Sequence, residues 1–591
     1  MYSKIKVAAA SPQIKVADPI SNATSILGII NNAALAGASI LLTPELSLSA
    51  YTCQDLFYNK SLANASQKAL ISLLSATENI DMYIIVGLPV FSGDKVYNCS
   101  VCIYKGKIVN VSVKHSMTSY THERAFTYSQ INSIDINGQT YNISDNFTIY
   151  DSVSVQVNVG KVTNKLDTDA KIVLNPFSLP SPADTHYFTT FVPKNKAQIP
   201  VILLSNASCT ESTTDYVFSG QCMIVTEDTA LASKRYEIGG SYIISEVNLP
   251  AKKVKTSIAI PETVVENIKR CPYMPDDSAT RAKYIEDILE IQATGILKRM
   301  MYIGTKKAVL GISGGLDSTL SLLALYRAFD KAGYDKAGIT AITMPGFGTS
   351  HTTKNNAVDL IDALGVTKKE ISIKDACINH FKDIGHDGRP DTAYENAQAR
   401  ERTQILMDYS NMMGALMLGT GDLSEIALGF ATYNGDHIAM YSPNGSIPKT
   451  VIRLIVGHVA ENSDEKLKQV LKDILDTPVS PELVNSADNK QITQKTEEIV
   501  GPYELHDFFI YYFIRGHMTP SEILQEALKV FPEYSEDKLK SYLKIFVKRF
   551  FAGQFKRSCS PDGAMATLLS LSPRGGLFMP SDANPEAFLD F

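Results

Sequence analysis

Residues 308–319 read Ala-Val-Leu-Gly-Ile-Ser-Gly-Gly-Leu-Asp-Ser-Thr, and no other stretch limits the fold so tightly. A short apolar run predicts a buried strand, and a Ser/Gly-rich turn follows it. Leu320, Leu322, Leu323, Leu325 and Phe329 then form an apolar face at helical spacing. A strand, a glycine turn and a helix start make an anion site, because free N–H groups and the helix dipole both face the turn. Gly314 and Gly315 let the backbone approach a phosphate and take positive φ. Ser313, Ser318 and Thr319 add hydroxyl donors. Asp317 would repel a bare phosphate, so it argues for a bridging Mg²⁺. The Gly-Lys-Ser/Thr of a Walker loop is missing.

Ser-Gly-Gly-x-Asp-Ser after a strand resembles the pyrophosphate loop of the N-type ATP pyrophosphatases. That resemblance implies cleavage of ATP to AMP and pyrophosphate, with AMP activating a carboxylate or carbonyl oxygen. A glycine turn capping an ordinary helix is the plainer alternative.

At 591 residues the chain exceeds what one core can support, so two or more domains are expected. Apolar residues at 45% and charged residues at 20% belong to a soluble globular protein. A net charge of −6 gives no reason to expect nucleic acid. The N-terminus lacks the apolar core of a signal peptide, and no apolar run is long enough to span a membrane. The eight cysteines have no regular spacing, which suggests free thiols and a cytoplasmic, reducing compartment. Cys99 and Cys102 are three apart on a predicted strand, so they face opposite sides and chelate poorly.

In the N-terminal part, Ile5–Ala10, Ile40–Leu42, Tyr83–Pro89, Val96–Tyr104 and Lys107–Lys114 read as strands, with a hairpin turn at Lys105-Gly106. Asp18-Pro19 starts a helix running to about Ala36. Glu45 and Lys114 each stand at a strand end, where open sheets gather their chemistry. Pro44-Glu45-Leu46, Lys114, Val201–Asn206 and Glu211-Ser-Thr-Thr-Asp215 resemble the nitrilase (carbon–nitrogen hydrolase) family. The resemblance implies a four-layer α-β-β-α sandwich, with Glu45 as base and Lys114 stabilising a tetrahedral intermediate. The family's third residue is a Cys nucleophile after a strand of the type Val-x-Val-Glu-Ile-Cys-Glu-Asp. The matching stretch here runs Val153-Ser-Val-Gln-Val-Asn-Val-Gly160, with Asn158 at the nucleophile position. An amide forms no thioester. Gln156, Val159 and Gly160 replace the pattern's acidic residues, and Asn175–Phe191 lacks the Lys of the family's glutamine-binding stretch. These losses point to a pseudo-glutaminase. The alternative is a substitute thiol, for which Cys209 is the candidate.

Lysine-bearing residues around 250–263 have weak periodicity. They divide the chain into 1–250, a linker 251–274 and a second domain 275–591. The second domain opens with a helix over Ala279–Tyr302. Gly338–Thr343 and Glu370–Ile373 read as strands alternating with helices, which predicts a doubly wound parallel sheet. Thr392-Ala-Tyr-Glu395 carries a capping-box pattern, and Asn396 and Arg400 share a helix face. Met417-Leu418 runs into a second glycine turn, Gly419-Thr-Gly-Asp-Leu-Ser-Glu425. Asp317 and Glu425 are placed to hold one Mg²⁺, and Lys449 to neutralise phosphate charge.

Ser313–Ser318, Glu395–Arg402, Gly419–Glu425, Thr432–His437, Pro448-Lys-Thr450, Thr477–Glu482 and Gly501–Asp507 together resemble the NAD⁺ synthetases. A nitrilase-like domain ahead is the layout of the glutamine-dependent members. The resemblance implies an α/β fold of the adenine nucleotide α-hydrolase type for the second domain. It places ATP on Gly311, Ile312, Ser313, Gly314, Gly315, Leu316, Asp317, Ser318, Thr420, Lys449 and Ser480. It assigns deamido-NAD⁺ to Asn396, Glu425 and Lys556 and Mg²⁺ to Asp317 and Glu425, and it implies a homo-oligomer. After Phe555-Lys-Arg557 the family runs Arg-Gln-Ala-Pro-Pro, where this chain has Ser558-Cys-Ser-Pro-Asp562. The expected reaction is ATP-dependent amidation of deamido-NAD⁺ by ammonia. Alternatives are glutamine use through an unorthodox nucleophile, another ATP-pyrophosphatase amidotransferase such as a GMP or asparagine synthetase, or a non-catalytic binding protein.

Overall fold

A computed structural model describes residues 4–160, 169–180, 199–250, 268–477 and 501–591. Ser480, the linker stretch 251–267 and residues 181–191 of the glutamine-binding stretch lie outside the described residues. The chain forms two compact units. Thr213–Tyr216 belongs with the C-terminal unit rather than with its neighbours in sequence.

The first unit begins β1 (Lys4–Pro12), α1 (Pro19–Leu35), β2 (Ile40–Leu42), α2 (Lys60–Ala76), β3 (Tyr83–Ser92), β4 (Lys95–Tyr104), β5 (Lys107–Val113) and a single turn α3 (Tyr120–Glu123). A small hairpin, β6 (Ser133–Ile136) and β7 (Gln139–Asn142), comes next. Then come β8 (Asn146–Ile149), β9 (Val153–Val157), β10 (Ile172–Phe177), β11 (Val201–Asn206), β12 (Cys222–Val225), β13 (Ala230–Ala232) and β14 (Gly240–Asn248). Two six-stranded sheets result, ordered β14-β1-β2-β3-β4-β5 and β13-β12-β11-β10-β9-β8.

Strand periodicity explains how the layers stack. Val7, Ala9, Ile40 and Leu42 point into one core with Val155, Val157, Leu174 and Leu203 of the other sheet. Their neighbours Ala8 and Leu41 point the other way, against Ile26, Ile30, Leu70 and Leu73 of α1 and α2. Strands buried on both faces read as unbroken apolar runs for this reason. Cys99 and Cys102 fall in these two different cores, so they do not chelate together. Asp18 caps α1 by accepting from the Ser21 amide, with Pro19 at its first turn. Lys105 and Gly106 both take positive φ, 47° and 71°, the primed turn expected of a two-residue hairpin.

The second unit holds α4 (Ser278–Ile303), β15 (Ala308–Gly311), α5 (Leu316–Ala332), β16 (Ile339–Thr343), α6 (His351–Leu364), β17 (Thr367–Glu370), α7 (Lys374–Asp383), α8 (Thr392–Met413), β18 (Leu416–Leu418) and α9 (Leu423–Leu428). Helices α10 (Lys449–Glu461), α11 (Glu465–Asp476), α12 (Tyr503–Ile514), α13 (Pro520–Val530), α14 (Glu536–Ala552) and α15 (Gln554–Arg557) complete it. Its sheet is wholly parallel, ordered β17-β16-β15-β18. The chain winds outward from β15 and then crosses to β18 on its other side. The carboxyl ends of β15 and β18 therefore flank the switch point, where open α/β sheets bind ligands. The two glycine turns grow from those two ends. No helix among the described residues is long and apolar enough to cross a membrane.

Two local expectations fail. The strand predicted at Glu370–Ile373 lies at Thr367–Glu370, a polar, fully exposed edge. Its apolar signal belongs to Ile373, which is buried with Cys377, Phe381 and Tyr394. The capping pattern at Thr392–Glu395 is not used either. Asp391 caps α8 instead, accepting from the amides of Ala393 and Tyr394.

Two tests follow from this packing. Gly314 has φ +91°, and a Cβ there would lie 2.0 Å from the Thr353 carbonyl oxygen. Gly314→Ala should cost at least about 2 kcal/mol of stability in the second unit, read by denaturant unfolding. In the first unit His122 is buried and stacked on Tyr51, with ring centroids 5.2 Å apart. Burial holds its pKa down at about 4. The unfolded chain binds this proton below about pH 6.5 and the fold refuses it, so stability falls as pH drops from there toward 4. The His122→Gln variant should lose less stability than the parent between pH 7.5 and pH 5, by up to about 2 kcal/mol in urea unfolding.

Candidate active site

Lys449 is the centre of the second unit's site. Its Nζ lies 2.6 Å from Asp317 Oδ2, 2.7 Å from Asp422 Oδ2 and 2.9 Å from Glu425 Oε1. It also sits 5.4 Å from the centre of the Tyr503 ring. Burial opposes its charge, but the three carboxylates outweigh burial and raise its pKa. Burial and mutual repulsion work the other way on the acids. Asp422 is pushed well up, and Glu425 rises to about 7. Three acids around one ammonium are thus held at high electrostatic cost.

The backbone explains how the four meet. Gly315 starts α5 with no side chain capping it, leaving that helix's first N–H groups for another partner. Asp317 stands in this first turn. Asp422 caps α9 by accepting from the Glu425 amide at 2.8 Å. One buried amide ties both glycine turns together. Asn444 Nδ2 donates to the carbonyls of Asp317 at 2.9 Å and Thr420 at 3.2 Å, and Gln292 donates to Asn444 Oδ1 at 2.9 Å. Lys449 itself starts α10. Its amide donates to Ser424 Oγ, which in turn donates to Asp507 Oδ1. Asp507 Oδ2 also accepts from the Thr450 amide at 3.0 Å and the Thr450 hydroxyl at 2.6 Å. Burial pushes Asp507 up to about 6.

Sequence reasoning missed Asp422, Asn444 and Asp507 as site residues. Asp422 lay in the Gly419–Glu425 motif and Asp507 in the Gly501–Asp507 motif, so both had a signal. Asn444 had none, because its role depends on two turns meeting in space.

The acids of Asp317, Asp422 and Glu425 offer oxygens all within 4.8 Å of one another. Oδ1 of Asp317 is buried and has no hydrogen-bond partner among the described residues. An all-oxygen donor set with an unsatisfied carboxylate oxygen fits a hard divalent cation.

Beside this cluster lies a pocket, partly open to solvent, lined among others by Thr420, Glu425, His437, Lys556, Ser560 and Ser572. Thr420 and Glu425 of the second glycine turn and Lys556, from a motif 131 residues further on, meet on its wall. Lys556 Nζ donates to the carbonyls of Gly429 at 2.8 Å and Ala431 at 2.6 Å. Asn396 is not among the lining residues. It accepts from the Thr432 hydroxyl at 2.8 Å, one residue beyond Ala431 of the wall.

The first unit carries a second buried charge cluster. Lys114 Nζ lies 3.0 Å from Glu45 Oε2 and 2.7 Å from Glu123 Oε1, all three side chains at most 1% exposed. Gly87 on β3 leaves room for the turn at Glu45–Leu46, since a Cβ there would strike the Leu46 amide nitrogen at 2.2 Å. Burial raises Glu45 despite Lys114. Burial also disfavours charge on Glu123, but Lys114 and the hydroxyls of Thr118 and Tyr51 outweigh it and lower its pKa. Glu123, nine residues past Lys114, stands near that strand end in the sequence but was given no role there. Asn158 follows β9 and is half-buried, its amide donating to the Leu174 carbonyl at 2.8 Å. Two residues on, Gly160 has φ +66°, and a Cβ there would fall 2.2 Å from Lys114 Nζ. Cys209 is buried past the end of β11, between Ser208 and Thr210, whose hydroxyls are 2.9 Å apart.

Residues 288–549 match the NAD synthase family, and residues 6–151 match the carbon–nitrogen hydrolase family. The chain is 29% identical to the glutamine-dependent NAD(+) synthetase of Mycobacterium leprae, over 99% of this chain and 97% of that one. It is 26% identical to the enzyme of the same name from Aquifex aeolicus, over 87% and 90%. Among solved structures it resembles a glutamine-dependent NAD(+) synthetase from Cytophaga hutchinsonii, with a TM-score of 0.80 and 18% identity over the whole of both chains. A second, from Acinetobacter baumannii in complex with ADP, gives 0.62 and 18% over 97% and 98%. With a nitrilase-like α/β unit ahead of a parallel-sheet unit that matches the NAD synthase family, the chain is similar over nearly its whole length to carbon–nitrogen ligases named glutamine-dependent NAD(+) synthetase.

Proposed function

We propose that this chain makes NAD⁺ from deamido-NAD⁺ and ATP with free ammonia as nitrogen donor, and that its nitrilase-like unit is a pseudo-glutaminase. The nicotinate carboxylate is anionic and resonance-stabilised, hence a poor electrophile. Its oxygen attacks the α-phosphorus of ATP, and pyrophosphate leaves. Ammonia then attacks the carbonyl carbon of the mixed anhydride, and AMP departs to leave the amide.

The cluster around Lys449 suits the first step. The turn from Gly311 to Ser318, with the free N–H groups of α5, is the cradle for the ATP phosphates, and Thr420 flanks it. Lys449 passes from its carboxylates to the phosphates and offsets the charge that grows on departing pyrophosphate. A bound Mg²⁺, held by Asp317, Asp422 and Glu425, would supply Lewis-acid shielding of the same charge. Glu425 and Lys556 on the cavity wall and Asn396 behind it are assigned to the dinucleotide. Ser480 keeps its assignment to ATP from the sequence alone.

The nitrogen donor rests on one observation above all. Gly160, two residues after Asn158, runs against Lys114, and this supports reading Asn158 as the residue at the nucleophile position, with an amide where the reaction needs a thiol. The carbon–nitrogen hydrolase match ends at residue 151, ahead of this turn. The relatives' names favour the rival reading, a working glutaminase with another nucleophile such as Cys209.

Two measurements test this reading. Purified protein should form NAD⁺ with ammonium and stay at background with ammonia-free glutamine. Glu45→Gln should leave the ammonium rate within about twofold, since removing a base matters only if the unit catalyses. Glutamine-driven turnover that Glu45→Gln or Cys209→Ala abolishes would establish the rival. The second concerns Asp507, which positions Lys449 through Ser424 and Thr450. Asp507→Asn turns an acceptor toward the Thr450 amide into a donor, at a cost on the order of 2 kcal/mol. Steady-state kinetics should show kcat down by about thirtyfold with KM for deamido-NAD⁺ little changed.

A further inference from the structure

Cys559 and His437 form a pair that the amidation reaction leaves unused. The sulfur lies 3.5 Å from His437 Nε2. The ring's other nitrogen meets the Thr432 carbonyl at 3.1 Å and the Asn434 amide at 3.0 Å. Tyr433 stacks on the ring with centroids 5.3 Å apart, so the imidazole is fixed on two sides. These two contacts belong to opposite tautomers: with Asn434 donating, the ring proton sits on Nε2, and in the tautomer whose Nδ1–H donates to Thr432, Nε2 is the acceptor that faces the thiol. A nucleophile, a base within reach and a third group orienting the base are the signature of an activated thiol.

Cys53, Cys99, Cys102, Cys209, Cys222 and Cys377 are buried, and Cys271 and Cys559 are the two half-buried thiols. Cys559 is half-buried, and its sequence neighbours Lys556 and Ser560, like His437 itself, line the cavity beside Glu425.

We infer that Cys559, activated by His437, is a thiol modification site for small disulfides, and that an adduct there closes the cavity. The closing half of this inference rests on the cavity taking deamido-NAD⁺. The step balances without another reactant. His437 Nε2 takes the thiol proton, the sulfur attacks one disulfide sulfur, and the protein–small-molecule disulfide forms. The second sulfur leaves as a thiolate and is protonated from His437. The small disulfide is the oxidant, and a free thiol reverses the reaction.

The test treats the full-length protein with oxidised glutathione and follows adducts by peptide mass spectrometry, alongside NAD⁺ formation from ammonium. One adduct per chain should appear at Cys559. It should cut activity by about tenfold or more, and dithiothreitol should restore it. Cys559→Ser should keep its activity and resist the treatment, and His437→Gln should slow adduct formation by about tenfold or more. Deamido-NAD⁺ added first should protect. Adducts spread over other cysteines, or forming at Cys559 equally fast without His437, would overturn the activated pair. Full activity with Cys559 fully modified would overturn the closing of the cavity. Should the untreated protein make no NAD⁺, the functional reading fails instead, while the adduct rates still decide the pair.

Discussion

An ammonium held by three carboxylates governs the shape of the second unit. At Lys449 the acids from two glycine turns outnumber the single base, so ionising all three would leave excess negative charge in a largely buried place. Such an arrangement is poor for stability taken alone, because desolvation of each charge exceeds what the pairing returns. It persists because the fold over-determines it. Asp422 is fixed by capping α9, Lys449 by starting α10, and Asp317 by standing in the first turn of α5. The excess charge is what a cation or a shifting lysine would relieve, so the cost in the resting protein becomes affinity for ligand.

The first unit holds the same chemistry with one acid fewer. Lys114 meets two carboxylates, and the burial that raises Glu45 leaves Glu123 as its ionic partner. Hydroxyls of Thr118, Tyr51 and Tyr128 supply Glu123 with further donors. Among the described residues each cluster still leaves a buried carboxylate oxygen unsatisfied, Glu45 Oε1 in the first unit and Asp317 Oδ1 in the second. Two buried lysine sites in one chain thus share the same want of a further donor or cation.

Much of this was legible in the residues. Strands buried on both faces announce themselves as apolar runs, so β1, β2, β3 and β4 were found with small boundary errors. The turn after β15 was readable because glycines, hydroxyls and an acid fall in an order that few other structures need. What escaped was information spread over distant segments or hidden by an edge. β17 is polar and exposed, so its neighbour Ile373 drew the assignment away. Asn444 joins turns that lie over a hundred residues apart in sequence, as its bond to Asp317 shows. Asp507 reads as one acid in a helix until Thr450 is seen to lie against it.

Gly160 has a consequence of its own. An ordinary side chain there would take a strained backbone at φ +66° and would push the lysine aside, since its first carbon would fall 2.2 Å from the Lys114 ammonium. Lys114 is the cation shared by Glu45 and Glu123. The smallness of one turn residue therefore sets where a buried ammonium can stand.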